Sequence, residues 1–107
     1  MTRLVVIESP FAGDLDRNVI YAQRALRDSI YRNEAPIASH LLYPQVLNEC
    51  NEKERTLGIN LGFEWWIAKP LIAIYIDYGV TPGMEKAIHL AKELKLDITE
   101  REIGENK

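Results

Sequence analysis

Short runs of consecutive apolar residues alternate along the chain with longer segments whose apolar residues recur every three or four positions. Continuous β-branched runs are typical of strands that are buried on both faces, as in a parallel sheet. Such runs predict strands over Arg3–Ser9, about Ala35–His40 and Pro70–Asp77, the last being the most apolar. Leu96–Glu102 alternates apolar and polar residues, which predicts a fourth strand at a sheet edge.

Three helices are predicted between these strands. The first begins at Asp14 or Asp16, a residue type that caps helix N-termini, and its apolar positions are Val19, Ala22, Leu26 and Ile30. The second lies within Asn51–Lys69, and its apolar stripe is Leu57, Leu61, Trp65 and Ala68. The third covers Met84–Lys95. The last residues, Ile103–Lys107, are expected to fray.

The order of these elements is β-α-β-α-β-α-β, which predicts an α/β fold. Strands that alternate with helices imply right-handed crossovers and a parallel sheet covered on both faces. We therefore expect one domain over residues 1–107, a Rossmann/flavodoxin-like three-layer sandwich with a small, mainly parallel sheet of four to five strands. In such sheets ligands bind at the carboxyl ends of the strands, near the point where the strand order reverses.

Composition narrows the partners that the protein can have. The 107 residues are 47% hydrophobic and carry a net charge of −3, which fits a folded domain and argues against a broad basic surface for a nucleic acid polymer. No apolar run approaches roughly 18 residues, so no membrane span is predicted. The single cysteine, Cys50, is compatible with a cytoplasmic location. A small sheet leaves apolar helix faces to cover, so we expect a homodimer or larger assembly through the second helix.

The loop after the first strand combines an acid, an aromatic residue and a turn. Gly13 allows a backbone to approach a ligand closely. Phe11 is suited to stacking on a base, although packing in the core explains it equally. No Walker or G-x-G-x-x-G motif is present, so a dinucleotide has little support. The candidate residues of this loop are Glu8, Ser9, Pro10, Phe11 and Gly13.

The loop after the second strand contributes Ser39, His40 and Tyr43. A histidine at a strand end can act as a hydrogen-bonding or acid/base group, and a structural role is the alternative. The only other histidine, His89, lies on the third helix, and neither has a partner at metal-ligand spacing. We therefore expect neither a metal nor a cofactor.

The loop after the third strand leads into a helix start. Asp77 ends the strand, where its carboxylate can accept a hydrogen bond from a base amino group or a sugar hydroxyl. Thr81 is a good N-cap, and proline is favoured at the first helical position. Helix initiation alone also explains these residues. The candidate ligand-binding residues here are Gly79, Thr81, Pro82, Gly83 and Met84.

Three stretches, "VIESPFAG", "APIASHLLYP" and "AIYIDYGVTPGMEKAIHLAKEL", resemble the nucleoside 2-deoxyribosyltransferase-like superfamily, and in particular its small phage-type members. The resemblance covers roughly Leu4–Leu94. It implies a Rossmann-like sheet and an enzyme that transfers deoxyribose between bases or hydrolyses the N-glycosidic bond of deoxynucleotides. It also implies a nucleophilic glutamate near the start of the third helix, assisted by an aspartate after the preceding strand and a tyrosine near the first loop.

The nucleophile has two possible positions in this sequence. Alignment on "GME" selects Glu85, but this alignment turns polar residues toward the sheet. Alignment on "AIHLA" buries Ile88 and Ala91 at good helical spacing and puts Ala87 at the catalytic position. Helix periodicity favours the second alignment, in which Glu85 is rotated away by about 200°. Glu85 then has a simpler role as an acid that compensates the helix dipole, and Glu8 becomes a second candidate carboxylate.

Two functions therefore remain from the sequence. In the first, the protein is an N-glycosidic-bond enzyme with Glu85 or Glu8 as nucleophile and Asp77 as orienting acid. Tyr21 or Tyr43 would supply the phenol, and the first and third loops would hold sugar or phosphate. In the second, the same pocket binds a nucleoside or nucleotide without cleaving it, because Ala87 occupies the nucleophile position. A purely structural or interaction protein is a weaker third alternative.

Overall fold

A computed structural model of the protein describes residues 2–105. Its sheet has the strands β1 (Arg3–Glu8), β2 (Glu34–Ile37), β3 (Leu71–Tyr75) and β4 (Ile98–Arg101). The helices are α1 (Leu15–Tyr31), α2 (Glu52–Glu64) and α3 (Pro82–Glu93), with short 3-10 helices at Ser39–Leu41, Tyr43–Gln45 and Trp65–Ala68. The element order is the predicted one, and the start of α3 is as expected, with Thr81 as N-cap and Pro82 as first residue.

The four strands are all parallel and lie in the order β2-β1-β3-β4. The predicted small Rossmann/flavodoxin-like sandwich is therefore confirmed, and β4 is an edge strand as expected. The chain leaves β1 toward β2 on one side and later returns to β3 on the other side. The strand order reverses between β1 and β3, so a ligand crevice is expected at the carboxyl ends of these two strands.

Alternate residues of the strands face two separate apolar layers. Val5 and Ile7 of β1 pack with Tyr21 and Ala25 of α1. Val6 instead packs with α3 and with Trp66, which follows α2. Because side chains of a strand alternate between faces, the side chain of Glu8 lies on the same face as Val6, toward α2 and α3.

The second strand is shorter than predicted. It ends at Ile37, and the parallel pairing with β1 ends at the Val6–Ile37 pair. Ser39 and His40, predicted within or at the end of this strand, lie in a 3-10 turn closed by the bond from Leu41 N to Ala38 O at 3.0 Å. The chain therefore turns toward the carboxyl end of β1 instead of extending the sheet edge.

The predicted apolar stripe of α2 is wrong. Its members, Leu57, Leu61, Trp65 and Ala68, are all exposed. The buried positions of the helix are Gly58 and Gly62, because α2 packs against the loop after β2 at a distance that excludes larger side chains. A Cβ atom at Gly62 would lie 3.1 Å from the Cβ of Ser39. On α1 the stripe is also shifted, and Ile30 is exposed while Tyr21 and Ala25 are buried.

Asp77 holds the segment after β4, part of which was expected to fray. Its carboxylate accepts hydrogen bonds from the backbone N–H groups of Ile103, Gly104 and Glu105 at 2.8–3.2 Å, and from the hydroxyl of Tyr21 at 2.6 Å. Burial alone would raise the pKa of Asp77, but these hydrogen bonds hold it below its ordinary value. The expectation of fraying is therefore wrong for 103–105, and 106–107 lie outside the described residues.

We expect Asp77→Ala to release the segment 103–105 while the sheet stays folded. Removal of the acceptor of three backbone N–H groups should lower the free energy of unfolding by about 1–3 kcal/mol and speed amide exchange at 103–105 about tenfold or more. Hydrogen exchange followed by NMR measures both effects. Asp97→Ala, which removes only an exposed bond to Arg3, is the control. Unchanged exchange at 103–105 in Asp77→Ala would contradict the assignment.

Candidate functional site

A cavity of about 300 Å³ lies at the carboxyl end of β1, on the face of the sheet that carries α2 and α3. It is bounded by the loop after β1, the 3-10 turns after β2, the inner side of α2 and the first turn of α3. The predicted candidates that line it are Glu8, Ser9, Phe11, Ser39, His40, Tyr43, Thr81, Pro82, Gly83 and Met84. Thus all three predicted loops contribute to one site.

Glu8 is the acid at the base of this cavity. It is the last residue of β1, pairs with Ile74 of β3 and is only 8% exposed. No group among residues 2–105 donates a hydrogen bond to its carboxyl group, although buried carboxyl groups ordinarily have such a partner. Burial raises the pKa of Glu8 to about 8, so the group is mainly protonated at neutral pH.

An aromatic pair forms the wall beside Glu8. The rings of Phe11 and His40 are stacked, with centroids 5.0 Å apart and planes at 23°. The Nε2 of His40 donates to the carbonyl oxygen of Ser9 at 3.0 Å, which leaves Nδ1 as the acceptor of a neutral ring. Burial lowers the pKa of His40, against a smaller raising effect of that hydrogen bond. The pair offers a flat, uncharged surface with one acceptor.

Asn18 of α1 fixes the loop that carries Phe11. Its side-chain amide donates to the carbonyl oxygens of Phe11 at 2.9 Å and Ala12 at 3.1 Å, and the residue is almost fully buried. Sequence reasoning missed this residue. The available signal was a polar residue on the buried side of an amphipathic helix, one turn after its N-cap.

The first turn of α3 closes the other side of the cavity. The hydroxyl of Thr81 accepts a hydrogen bond from Met84 N at 3.2 Å, which aligns the helix start. Met84 itself is buried against the sheet. A Cβ atom at Gly83 would meet nothing nearer than the Thr81 hydroxyl at 3.9 Å, so the backbone there is open to approach.

Three charged residues and two glycines of the cavity were also missed. Arg55 of α2, Lys86 of α3 and Glu49 of the preceding loop line the cavity, as do Gly58 and Gly62. The two glycines, four residues apart on one side of α2, were a signal of close helix packing. The charges carried no such signal, since they lie among the many charged residues of exposed helix faces.

Several predicted site residues lie elsewhere. Glu85 is exposed, and Asp77 and Tyr21 bond to each other and hold the chain after β4. Pro10, Gly13 and Gly79 do not line the cavity either. Ala87 is fully buried among apolar residues of the sheet and is not part of the cavity wall. Tyr43 does line it, and its hydroxyl accepts a hydrogen bond from Trp65 Nε1 at 2.8 Å.

Residues 2–105 contain no group of three or more His, Cys, Asp or Glu side chains arranged to hold a metal ion. None of the helices described is long and apolar enough to cross a membrane.

The fold and the cavity define a small, parallel α/β protein with a ligand-sized site where the strand order reverses. Residues 3–101 match the family model described as Domain of unknown function (DUF7768). Since the match spans nearly the whole chain, the protein belongs to this family. Comparison with curated proteins and with solved structures gave no match.

The burial of Glu8 predicts an unusual dependence of stability on pH. The folded protein binds this proton more tightly than the unfolded chain, whose pKa is near 4.5. The stabilisation is therefore fully present below that pH and is lost as the pH rises through about 8. Between about pH 5 and pH 8 the loss should be about 3 kcal/mol.

Chemical denaturation across this range measures the effect, and Glu8→Gln should flatten the profile. Glu85→Gln changes the same functional group at an exposed position and should leave the profile unaltered. Equal pH profiles for Glu8→Gln and the unaltered protein would show that Glu8 is not the buried titrating group.

Proposed function

We propose that the protein binds a nucleoside or nucleotide in this cavity and cleaves or transfers its N-glycosidic bond, with Glu8 as the acid. The observation that carries the proposal is the buried carboxyl group of Glu8, which has no hydrogen-bond partner among residues 2–105 and lies at the strand-order reversal. Burial of such a group is unfavourable for folding, and perturbed titratable groups in clefts are concentrated at functional sites.

The protonation of Glu8 favours a role as general acid. A nucleophile must be ionised, whereas a carboxyl group with a pKa of about 8 carries its proton at neutral pH. As the bond between the sugar C1′ and the base nitrogen breaks, the electron pair goes to the base, which takes the proton of Glu8. The carboxylate left behind stabilises the positive charge that develops on the sugar. Water or a second base then adds to C1′ and returns a proton to Glu8.

The aromatic pair supports a base as the leaving group. A heterocyclic base can stack on the exposed side of the Phe11–His40 pair, since offset stacking of flat rings is favourable. The neutral His40 offers an acceptor to an exocyclic amino group. The Phe11–His40 pair thus suits the flat base of a nucleoside, and the polar groups that line the cavity near it suit the sugar.

A second candidate function is binding of the same ligand without cleavage. It is favoured by the positions of Glu85 and Asp77, which do not line the cavity, and by Ala87, which is buried in the core. Among residues 2–105, the carboxyl groups that line the cavity are then those of Glu8 and Glu49. Recovery of intact ligand from the protein after long incubation would support this function over the first.

We expect free base to be released from at least one member of a panel of deoxynucleosides and their 5′-monophosphates. Glu8→Gln should lower the rate about 10²- to 10⁴-fold, as is usual for loss of a general acid. Liquid chromatography of the reaction mixture measures the base. Glu85→Gln should retain the rate, and a loss confined to Glu85→Gln would transfer the catalytic role to that residue.

We also propose a cytoplasmic location, which fits the exposed free thiol of Cys50.

Self-association through the second helix is part of the same proposal. The outer side of α2 and the turn after it expose large apolar side chains, which favour contact with a second copy. They are Leu57, Leu61, Trp65 and Ile67.

Ile67→Lys should therefore weaken the dimer about tenfold or more. Ile67 is 88% exposed, so the substitution should not affect folding of the protomer. Sedimentation velocity over a concentration series measures the dissociation constant. Val46→Lys, at another exposed apolar position (79%), is the matched control. A monomer at every concentration of the unaltered protein would contradict the proposal.

A further inference from the structure

An arginine that does not line the cavity contacts Asn18, the residue that holds the loop of Phe11. The Nε and Nη2 of Arg17 donate hydrogen bonds to the side-chain oxygen of Asn18 at 3.2 and 3.0 Å. A guanidinium group can only donate, and the backbone carbonyl oxygens of Phe11 and Ala12 can only accept. The amide of Asn18 therefore has one orientation that satisfies all these partners, with its oxygen toward Arg17 and its nitrogen toward the loop.

Tyr78, in the loop after β3, holds the other side of this guanidinium group. The Cζ of Arg17 lies 4.1 Å from the centroid of the Tyr78 ring, a distance typical of a cation–π contact. The ring also packs edge-on against Tyr21, with centroids 4.8 Å apart. Tyr21 in turn donates a hydrogen bond to Asp77 at 2.6 Å. Tyr78 thus belongs to the group of contacts around Asp77, and Arg17 joins this group to the loop after β1.

The contacts of Arg17 depend on the planar shape of its guanidinium group. Both partners are uncharged, an amide oxygen that accepts from two N–H groups and an aromatic face. Arg17 takes part in none of the ion pairs formed within residues 2–105. A lysine has the same charge but neither the flat face nor two donors at a fixed spacing. Arg17→Lys therefore removes both contacts and keeps the charge.

The loop that Asn18 holds carries one half of the aromatic wall of the cavity. Phe11 stacks on His40, and the backbone beside this contact is bonded at two points. The carbonyl oxygen of Phe11 accepts from Asn18, and that of Ser9 accepts from His40. Phe11 itself is only half-buried, so packing around its ring constrains it less than it would a core residue. The position of the ring on His40 therefore follows from the position of the loop backbone.

We propose that Arg17 is a positioning residue for the Phe11–His40 pair. It acts through Asn18, and Tyr78 holds it in place, so the loops after β1 and β3 are joined on the α1 side of the sheet. The effect of Arg17 on a bound base rests on the proposed function, whereas its effect on the stacked pair does not.

NMR spectroscopy of the ligand-free full chain tests the effect on the stacked pair. The chain has two histidines, of which His40 lies against Phe11 and His89 is exposed on α3. Arg17→Lys should move the ring signals of His40 toward those of an unstacked histidine and leave those of His89 unchanged. It should also raise the pKa of His40 toward its ordinary value, because a looser wall admits water to the ring.

The matched control is Arg27→Lys, in the same helix. Arg27 is also exposed and also lies over a tyrosine ring, with its Cζ 4.9 Å from the centroid of Tyr31. Neither residue lines the cavity or contacts the loop of Phe11. The control therefore loses the same kind of contact and should leave the signals of His40 unchanged.

Tyr78 provides a second pair of variants. Tyr78→Phe retains the ring under the guanidinium group and should leave the signals of His40 unchanged. Tyr78→Leu removes the ring and should change them in the same direction as Arg17→Lys. The double variant with both Arg17→Lys and Tyr78→Leu should resemble Arg17→Lys alone, because both substitutions remove one contact.

Base release measures the consequence for a ligand. The probe is the deoxynucleoside or 5′-monophosphate that releases base fastest from the unaltered chain. Arg17→Lys should raise its KM about three- to tenfold and change kcat less than about twofold, since a stacking wall contributes equally to binding of the substrate and the transition state. Arg27→Lys should leave both constants unchanged.

The outcomes separate the positioning role from the proposed function. Unchanged His40 signals in Arg17→Lys, or equal changes in Arg17→Lys and Arg27→Lys, would overturn the positioning role even if base is released. Additive effects of Arg17→Lys and Tyr78→Leu would overturn the part assigned to Tyr78. Changes of His40 confined to Arg17→Lys, without base release from any probe, would support the positioning role and overturn the cleavage reaction. An unchanged KM in an active protein would overturn the effect on a bound base.

Discussion

The parallel pairing of β1 with a neighbour on each side is the constraint on which the site depends. One crossover leaves this strand toward β2, and the later one passes over it to reach β3, so its carboxyl end opens into a crevice that no strand fills. Glu8 is the last paired residue of that strand, opposite Ile74. The hydrogen-bond register of the sheet therefore determines where the acid lies and on which face, independently of the surrounding loops.

Polar side chains on the two faces of the sheet differ in the hydrogen bonds that they make. On the α1 face, Arg101 of β4 donates two hydrogen bonds to Glu34 of β2 at 2.7–2.8 Å, and the hydroxyl of Tyr75 donates to Asp28 at 2.7 Å. These contacts fix the sheet edges and α1 to one another, although the Nε of Arg101 has no partner within the described residues. On the opposite face, Glu8 is 8% exposed and lines the cavity, and no group among residues 2–105 donates a hydrogen bond to its carboxyl group.

The lack of a hydrogen-bond partner for Glu8 is informative because folding does not require it. A domain of this size is stable by only about 5–15 kcal/mol, and an unsatisfied buried polar group costs about 1–3 kcal/mol. The protein meets this requirement at Glu34, Asp77 and Asp28 with short hydrogen bonds. The carboxyl group of Glu8 at the strand-order reversal has no such partner within residues 2–105, and the ligand proposed above would supply one.

Some parts of the structure could be predicted from the sequence pattern, and others could not. The strands, α1, α3 and the three candidate loops could be predicted because local periodicity and turn residues determine them. The role of Asp77 in holding 103–105 could not, since the backbone groups that it binds there lie 26 to 28 residues further along the chain and have no sequence signature. Arg55 and Lys86 were missed for a related reason: a charged residue on a helix looks the same whether it faces solvent or a cavity.

The prediction for the second helix was wrong for a different physical reason. Its apolar periodicity was assumed to face the sheet, but the side of α2 that meets the protein is formed by Gly58 and Gly62, which allow close approach to the loop after β2. The helix is therefore a wall of the cavity, held against a loop, and its larger apolar residues point outward. Large apolar side chains on the outer side of a helix favour contact with a second copy, which is the self-association proposed above. Cover on that side would keep α2, and with it Arg55, in place at the cavity.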